Sequence, residues 1–149
     1  MPERETMERV KRDRAEGKTP STQAGEFIRE EMRHIREGKH GARSSKQAIA
    51  IGLSKARRAG VALPPPKNGS RQIRHKASQD LARGRHGASR SSRTRSRGVL
   101  RALRREGTSA ASSASLGRQA RASARRRGAA SRSAAARKAA RTRSRLRNR

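Results

Sequence analysis

Between residues 20 and 63 the apolar positions recur with the period of an α-helix. Ala24, Phe27, Ile28, Met32 and Ile35 fall on one face, which predicts a helix over about 21–37. Ser21 or Thr22 is its expected N-cap. Glu26, Glu30 and Glu31 towards its start and Arg33 and Arg36 towards its end suit the helix dipole. Gly38 then offers the left-handed backbone that ends helices. The turn GKHGAR follows, and Ser44 and Gln47 have the spacing of a capping box for a second helix over about 45–59. Ile49, Leu53 and Ala56 make its expected apolar stripe. Ile51 lies to the side, and Gly52 permits close approach of another helix. Gly60 ends the second helix, Val61 and Leu63 fold back on its last turn, and Pro64, Pro65 and Pro66 forbid continuation. The expected fold class is all-α: a small helix–turn–helix hairpin over residues 20–63, followed by a proline-rich linker over 64–70.

The flanking segments are less patterned. Residues 1–19 carry mixed charge with only Met7 and Val10 as large apolar groups, so a short helix and a solvated leader are equal readings. A 44-residue hairpin is near the size at which a single core fails without help. A homodimer through the hairpin and a third helix from elsewhere in the chain are the two remedies. Downstream, GKHGA at Gly38–Ala42 is echoed as GRHGA at Gly84–Ala88, and LSKARRAG at Leu53–Gly60 as LRALRREG at Leu100–Gly107. The echo predicts a degenerate second hairpin over about 71–107; chance matching in a chain rich in Gly, Ala and Arg is the alternative. Residues 108–149 are low-complexity Arg, Ala, Ser and Gly. They are expected to be disordered, or helical once phosphates relieve the repulsion among their arginines.

Composition changes the picture from a domain to a polycation. Hydrophobic residues are 30% and charged residues 35%, and Phe27 is the one aromatic. The formal net charge of +30 is unevenly placed. Residues 1–37 hold nine of the 11 acids and nine Lys or Arg. Residues 38–149 hold the other 32 of the 41 Lys and Arg against Asp80 and Glu106. Such density calls for a polyanionic partner, of which nucleic acid is the commonest inside cells.

Other chemistry finds little support. Cysteine is absent, which removes disulfides and thiol metal sites. No apolar run approaches 18 residues, and MPERETMERV lacks the apolar centre of a signal peptide, so a cytoplasmic, membrane-free protein is expected. His34, His40, His75 and His86 show no tight ligand spacing with acids and read as exposed polar residues; no metal or cofactor is expected. Glu30 and Glu31 are neighbours on a helix and are expected to point apart rather than form a catalytic pair. No serine has a partnered His and Asp, and no phosphate-loop motif occurs. An enzyme is not expected.

Arg outnumbers Lys 33 to 8, and its forked guanidinium suits phosphate; a GC-rich coding sequence would give the same bias. The lack of aromatics argues against single-strand and base-stacking RNA modes, which stack bases on Phe, Tyr or Trp. Duplex backbones fit better. The candidate phosphate-binding residues are Lys46, Lys55, Arg57 and Arg58 in the hairpin, Arg93, Arg95, Arg97, Arg104 and Arg105 in the middle segment, and Arg118, Arg121, Arg125, Arg126, Arg127, Arg137, Lys138, Arg141, Arg143 and Arg145 in the tail. Gln47 is the main base-reading type in the second helix, so specific readout is not expected. The stretch SRSSRTRSR, 89–97, resembles a short piece of the arginine–serine domains of splicing proteins, where phosphorylation cancels charge.

At SSKQAIAIGLSKARRAG, residues 44–60, the chain resembles a group of small basic bacterial proteins of unknown function, often labelled DNA-binding or histone-like, in which a SRKQAIAIALSEARKAG-like string occurs. The resemblance implies a bacterial source and a nucleoid role. The tail, as in SAAARKAARTRSR, resembles the tails of linker histones in composition. The expected function is sequence-independent duplex DNA binding. The alternatives are an RNA- or ribosome-associated basic protein, and an adaptor that tethers a protein partner to nucleic acid.

Overall fold

The computed structural model describes residues 2–87 and 92–147, and within them the chain is all-α. Residues 88–91, which carry the end of the GRHGA echo and the start of SRSSRTRSR, lie outside the described residues. The helices are α1 (Arg4–Ala15), α2 (Pro20–Arg36), α3 (Ser45–Arg58), α4 (Arg71–Arg85), α5 (Arg93–Arg104) and α6 (Ser113–Arg147), with a 3-10 turn at Ser109–Ala111. Two compact units result, Met1–Ser112 and Ser113–Arg149.

The predicted pair of helices is present as α2 and α3. The cap of α2 is Thr19 rather than Ser21 or Thr22: its side chain accepts from the Thr22 amide, and Pro20 takes the first helical position, where its missing N–H costs nothing. Gly38 and Gly60 end α2 and α3 with φ of 71° and 89°. Ser44 accepts from the Gln47 amide at 3.2 Å, while the Gln47 side chain accepts from Arg43 N at 2.8 Å, one residue earlier than a standard capping box.

Packing in the first unit explains how so few large apolar groups suffice. Phe27 and Ile35 of α2 are fully buried, together with Ala24 and Met32. Of the expected α3 stripe Ala56 is buried and Leu53 packs against the core, whereas Ile49 is not among the buried residues; the other buried positions on that side are Ser45, Ala48 and Gly52. These are small residues because the helices approach closely: a Cβ on Gly52 would lie 2.8 Å from Ile28 Cα. The help that the small core needs comes from α1, which is a helix and no solvated leader. Its Val10 joins Ala24, Phe27, Ala56 and Val61 in one cluster, with Met7, Leu53, Ala59 and Leu63 against it. Val61 and Leu63 thus fold back as their positions suggest.

Helix α4 lies on α3, not on α5, among the described residues. The echoed glycines also differ in role. Gly38 has the left-handed backbone, whereas its counterpart Gly84 is inside α4 and Gly87 has φ of 81°. A Cβ on Gly84 would meet the Arg57 carbonyl oxygen at 2.0 Å. Gly98 in α5 has nothing within 4 Å of its would-be Cβ. Opposite outcomes are therefore expected from one chemical change. Gly84→Ala should destabilise the first unit by about 1–3 kcal/mol through overpacking. Gly98→Ala should raise helix content, by up to about 1 kcal/mol in helix propensity. Urea unfolding followed by circular dichroism checks both, and a neutral Gly84→Ala would count against this α3–α4 contact.

Candidate nucleic-acid interface

The acids are spent inside the first unit. Arg9 pairs with Glu26 at 2.7 Å and with Glu5; Lys18 pairs with Asp13 at 2.7 Å and Glu16 at 2.8 Å; Arg33 pairs with Glu3. Lys76 holds the buried Asp80 at 2.6 Å, with Arg58 Nε 4.0 Å away. Among the described residues no ion pair reaches beyond Asp80.

Two of the hairpin cations proposed as phosphate contacts face inward, which corrects the sequence reading. Lys55 Nζ sits 2.6 Å from Glu31 Oε2 and 3.7 Å from Glu30 Oε1. Both carboxylates are buried, so the adjacent acids converge on one cation instead of pointing apart. A four-carbon stem lets one ammonium span two neighbouring positions. Arg57 is also buried: its Nε donates to the Leu63 carbonyl at 3.1 Å and Nη2 to the Pro64 carbonyl at 3.2 Å. Burial lowers its pKa, opposed by the charge of Asp80. Arg57 thus anchors the proline linker. Arg58 and Lys46 are exposed, with Arg58 Nε donating to the Ser54 carbonyl at 3.2 Å.

Helix α5 presents Arg93, Arg95, Arg97 and Arg104, with Arg105 as its C-cap, all exposed. Arg93, Arg97 and Arg104 share a face, and the helical register adds Arg101, absent from the expected set, to the same face. Once a helix is granted over 93–104, the spacing i, i+4, i+8, i+11 identifies it. Helix α6 is two straight stretches broken at Gly128, where φ is 75° and ψ 167°. Arg118, Arg121 and Arg125 share a face before the break, and Arg126 and Arg127 flank it. Arg137, Arg141 and Arg145 share a face after it, beside Lys138 and Arg143; all are exposed. Arg132 bridges the break, donating to the Ala124 carbonyl at 3.3 Å. The tail, read from composition as disordered until bound, is helical here. Alanine and arginine are strong helix formers, and no side chain of α6 is buried, so local propensity alone supports it.

A polar cluster sits at the α2–α3 turn, where the sequence reading saw exposed histidines. His40 is buried; its Nδ1 lies 3.1 Å from the Gly41 carbonyl oxygen and its Nε2 3.3 Å from Glu31 Oε1. His34 Nε2 lies 2.7 Å from Glu3 Oε1, with the rings of His34 and His40 6.2 Å apart edge to face. The His34 hydrogen bond, with help from Lys39 and Arg33, lowers the Glu3 carboxyl to about 2. The sequence signal for this cluster is Glu31 and His34 at i, i+3, with His40 just past the turn.

No described helix is long and apolar enough to cross a membrane. A family of unknown function (DUF6496) has a model that matches residues 4–67, which span α1, α2, α3 and the prolines. Over that segment the chain is similar to the family, in keeping with the resemblance at 44–60; the match carries no activity or partner with it. No curated protein and no solved structure matches the chain significantly.

Proposed function

We propose that the chain is a non-enzymatic protein that binds duplex DNA with little sequence preference, neutralising phosphates with the arginines of α5 and α6. The observation that carries this reading is the segregation of charge. In the first four helices the acids are tied to cations in ion pairs, whereas among the described residues the arginines of α5 and α6 have no acid paired to them. Arginines in rows along exposed helices match a regularly spaced line of phosphates, which gives affinity without base readout. The one aromatic side chain available to stack on bases, Phe27, is fully buried, which disfavours single strands. Gln47 is occupied with the Arg43 amide, which weakens any use of α3 as a recognition helix. A bacterial nucleoid is the setting that this reading implies.

Titrating the full chain with duplex DNA, structured RNA and single-stranded DNA at matched salt is the test. Duplex DNA is expected to bind tightest, with affinity falling steeply as salt rises. A clear preference for RNA overturns the reading in favour of an RNA- or ribosome-associated role.

A further inference from the structure

Three side chains that phosphate binding does not use converge at the α2–α3 turn. Glu31, His34 and His40 each offer one ligand atom, and these atoms lie within 4.8 Å of one another. Glu31 is fully buried, and no donor satisfies its Oε1.

The neighbouring hydrogen bonds decide where the lone pairs are. The Gly41 carbonyl can only accept, so His40 Nδ1 carries the proton in the bond between them. In a neutral imidazole Nε2 is then a lone pair, and it faces Glu31 Oε1 across 3.3 Å. Two acceptors buried against each other, with no donor between them, leave a gap suited to a cation. His34 is fixed in the same way: its Nε2 donates to the Glu3 carboxylate at 2.7 Å, which leaves Nδ1 as its lone pair. A backbone carbonyl behind one imidazole and a carboxylate behind the other are the outer partners that orient metal-bound histidines. The spacing agrees. In a tetrahedral site with bonds of about 2.0–2.1 Å, ligand atoms stand about 3.3–3.4 Å apart. Lys55 already holds Glu31 Oε2 at 2.6 Å, so Oε1 is the oxygen left to ligate.

We propose that Glu31, His34 and His40 bind one divalent d-block cation of the zinc class, with water as the fourth ligand. Two imidazoles and one carboxylate suit Zn2+ or Co2+ and not the all-oxygen preference of Mg2+ or Ca2+. The ion would pin the turn on which the end of α5 docks: Gly41 N donates to the Leu103 carbonyl at 2.9 Å and Ala42 N to the Gly107 carbonyl at 3.1 Å. A small core is where such a staple has most effect. The site does not depend on the DNA-binding reading.

The test uses the full chain, treated with nuclease and chelator, then titrated with Zn2+ by calorimetry and with Co2+ by visible absorption. One Zn2+ per chain and the intense visible bands of tetrahedral Co2+ are expected. His40→Ala and His34→Ala should each weaken binding by more than about 100-fold, and Glu3→Gln by about 10–100-fold, the usual range for an outer partner. The double variant H75A/H86A should bind as the unaltered chain does. The unaltered chain also gives a measure that needs no variant: Zn2+ should shift the imidazole nitrogen resonances of His34 and His40 and leave those of His75 and His86 in place. The proposal is overturned by the absence of saturable uptake. It is overturned equally by uptake that survives in H34A/H40A, or by shifts confined to His75 and His86.

Discussion

Deleting residues 113–149 is expected to remove most of the affinity for duplex DNA at low salt and to flatten its salt dependence. The deletion takes away 13 of the 41 Lys and Arg and no acid. A helix lying along a duplex can turn only part of its circumference to phosphate. If about six of the 13 make contacts, the slope of log affinity against log salt should become less negative by about 5. The difference between full and truncated chains should then shrink as salt rises. Residues 113–149 form a compact unit of their own, so the first unit should keep its melting behaviour. A truncated chain with an unchanged salt slope would place the main contacts in the first unit, which includes α5. Replacing the deleted segment with a shuffled sequence of the same composition separates charge from shape. Affinity retained by the shuffled tail means that charge density suffices. Affinity lost means that the helical rows before and after Gly128 matter.

The elements that could be read from the sequence are those in which one residue's chemistry decides the backbone. Gly38, Gly60 and the three prolines mark boundaries because few alternatives exist for a left-handed residue or a missing N–H. The α2 face could be read because Phe27, Met32 and Ile35 are large. On α3, Gly52, Leu53 and Ala56 could be read; Ser45 and Ala48 could not, because close approach selects small residues that hydropathy does not mark. Helix α1 was equally hidden. Val10 and Met7 look too sparse for a core, yet ion pairs from Arg33 to Glu3 and Arg9 to Glu26 hold α1 against α2. The same blindness affected the site. A basic residue in a polycation reads as a phosphate ligand, and nothing in the sequence shows that Lys55 has two buried carboxylates to answer or that Arg57 reaches the carbonyls of Leu63 and Pro64. The cluster at Glu31, His34 and His40 is split by a turn, so its ligand spacing appears only when α2 ends and the chain doubles back.

Lys55 provides the sharpest separation between a structural cation and a phosphate ligand. Lys55→Met should destabilise the first unit by about 3–5 kcal/mol, because Glu30 and Glu31 stay buried while the cation they share is gone. Against the 5–15 kcal/mol typical of whole domains, a loss of about that size leaves a substantial unfolded fraction. Lys46→Met, at an exposed position of the same helix, should change stability by no more than about 0.5 kcal/mol. Adding Glu31→Gln to Lys55→Met should recover part of the loss, since a buried charge without a partner costs more than a neutral amide of the same shape. Urea unfolding of the chelator-treated chain measures all three. If Lys55 instead faced phosphate, Lys55→Met would weaken DNA binding as Lys46→Met does and leave the unfolding midpoint in place. That pattern would remove Lys55 from the core and restore it to the interface. The expected pattern is the reverse: stability follows Lys55, and DNA affinity follows the exposed arginines that have no acid to hold them.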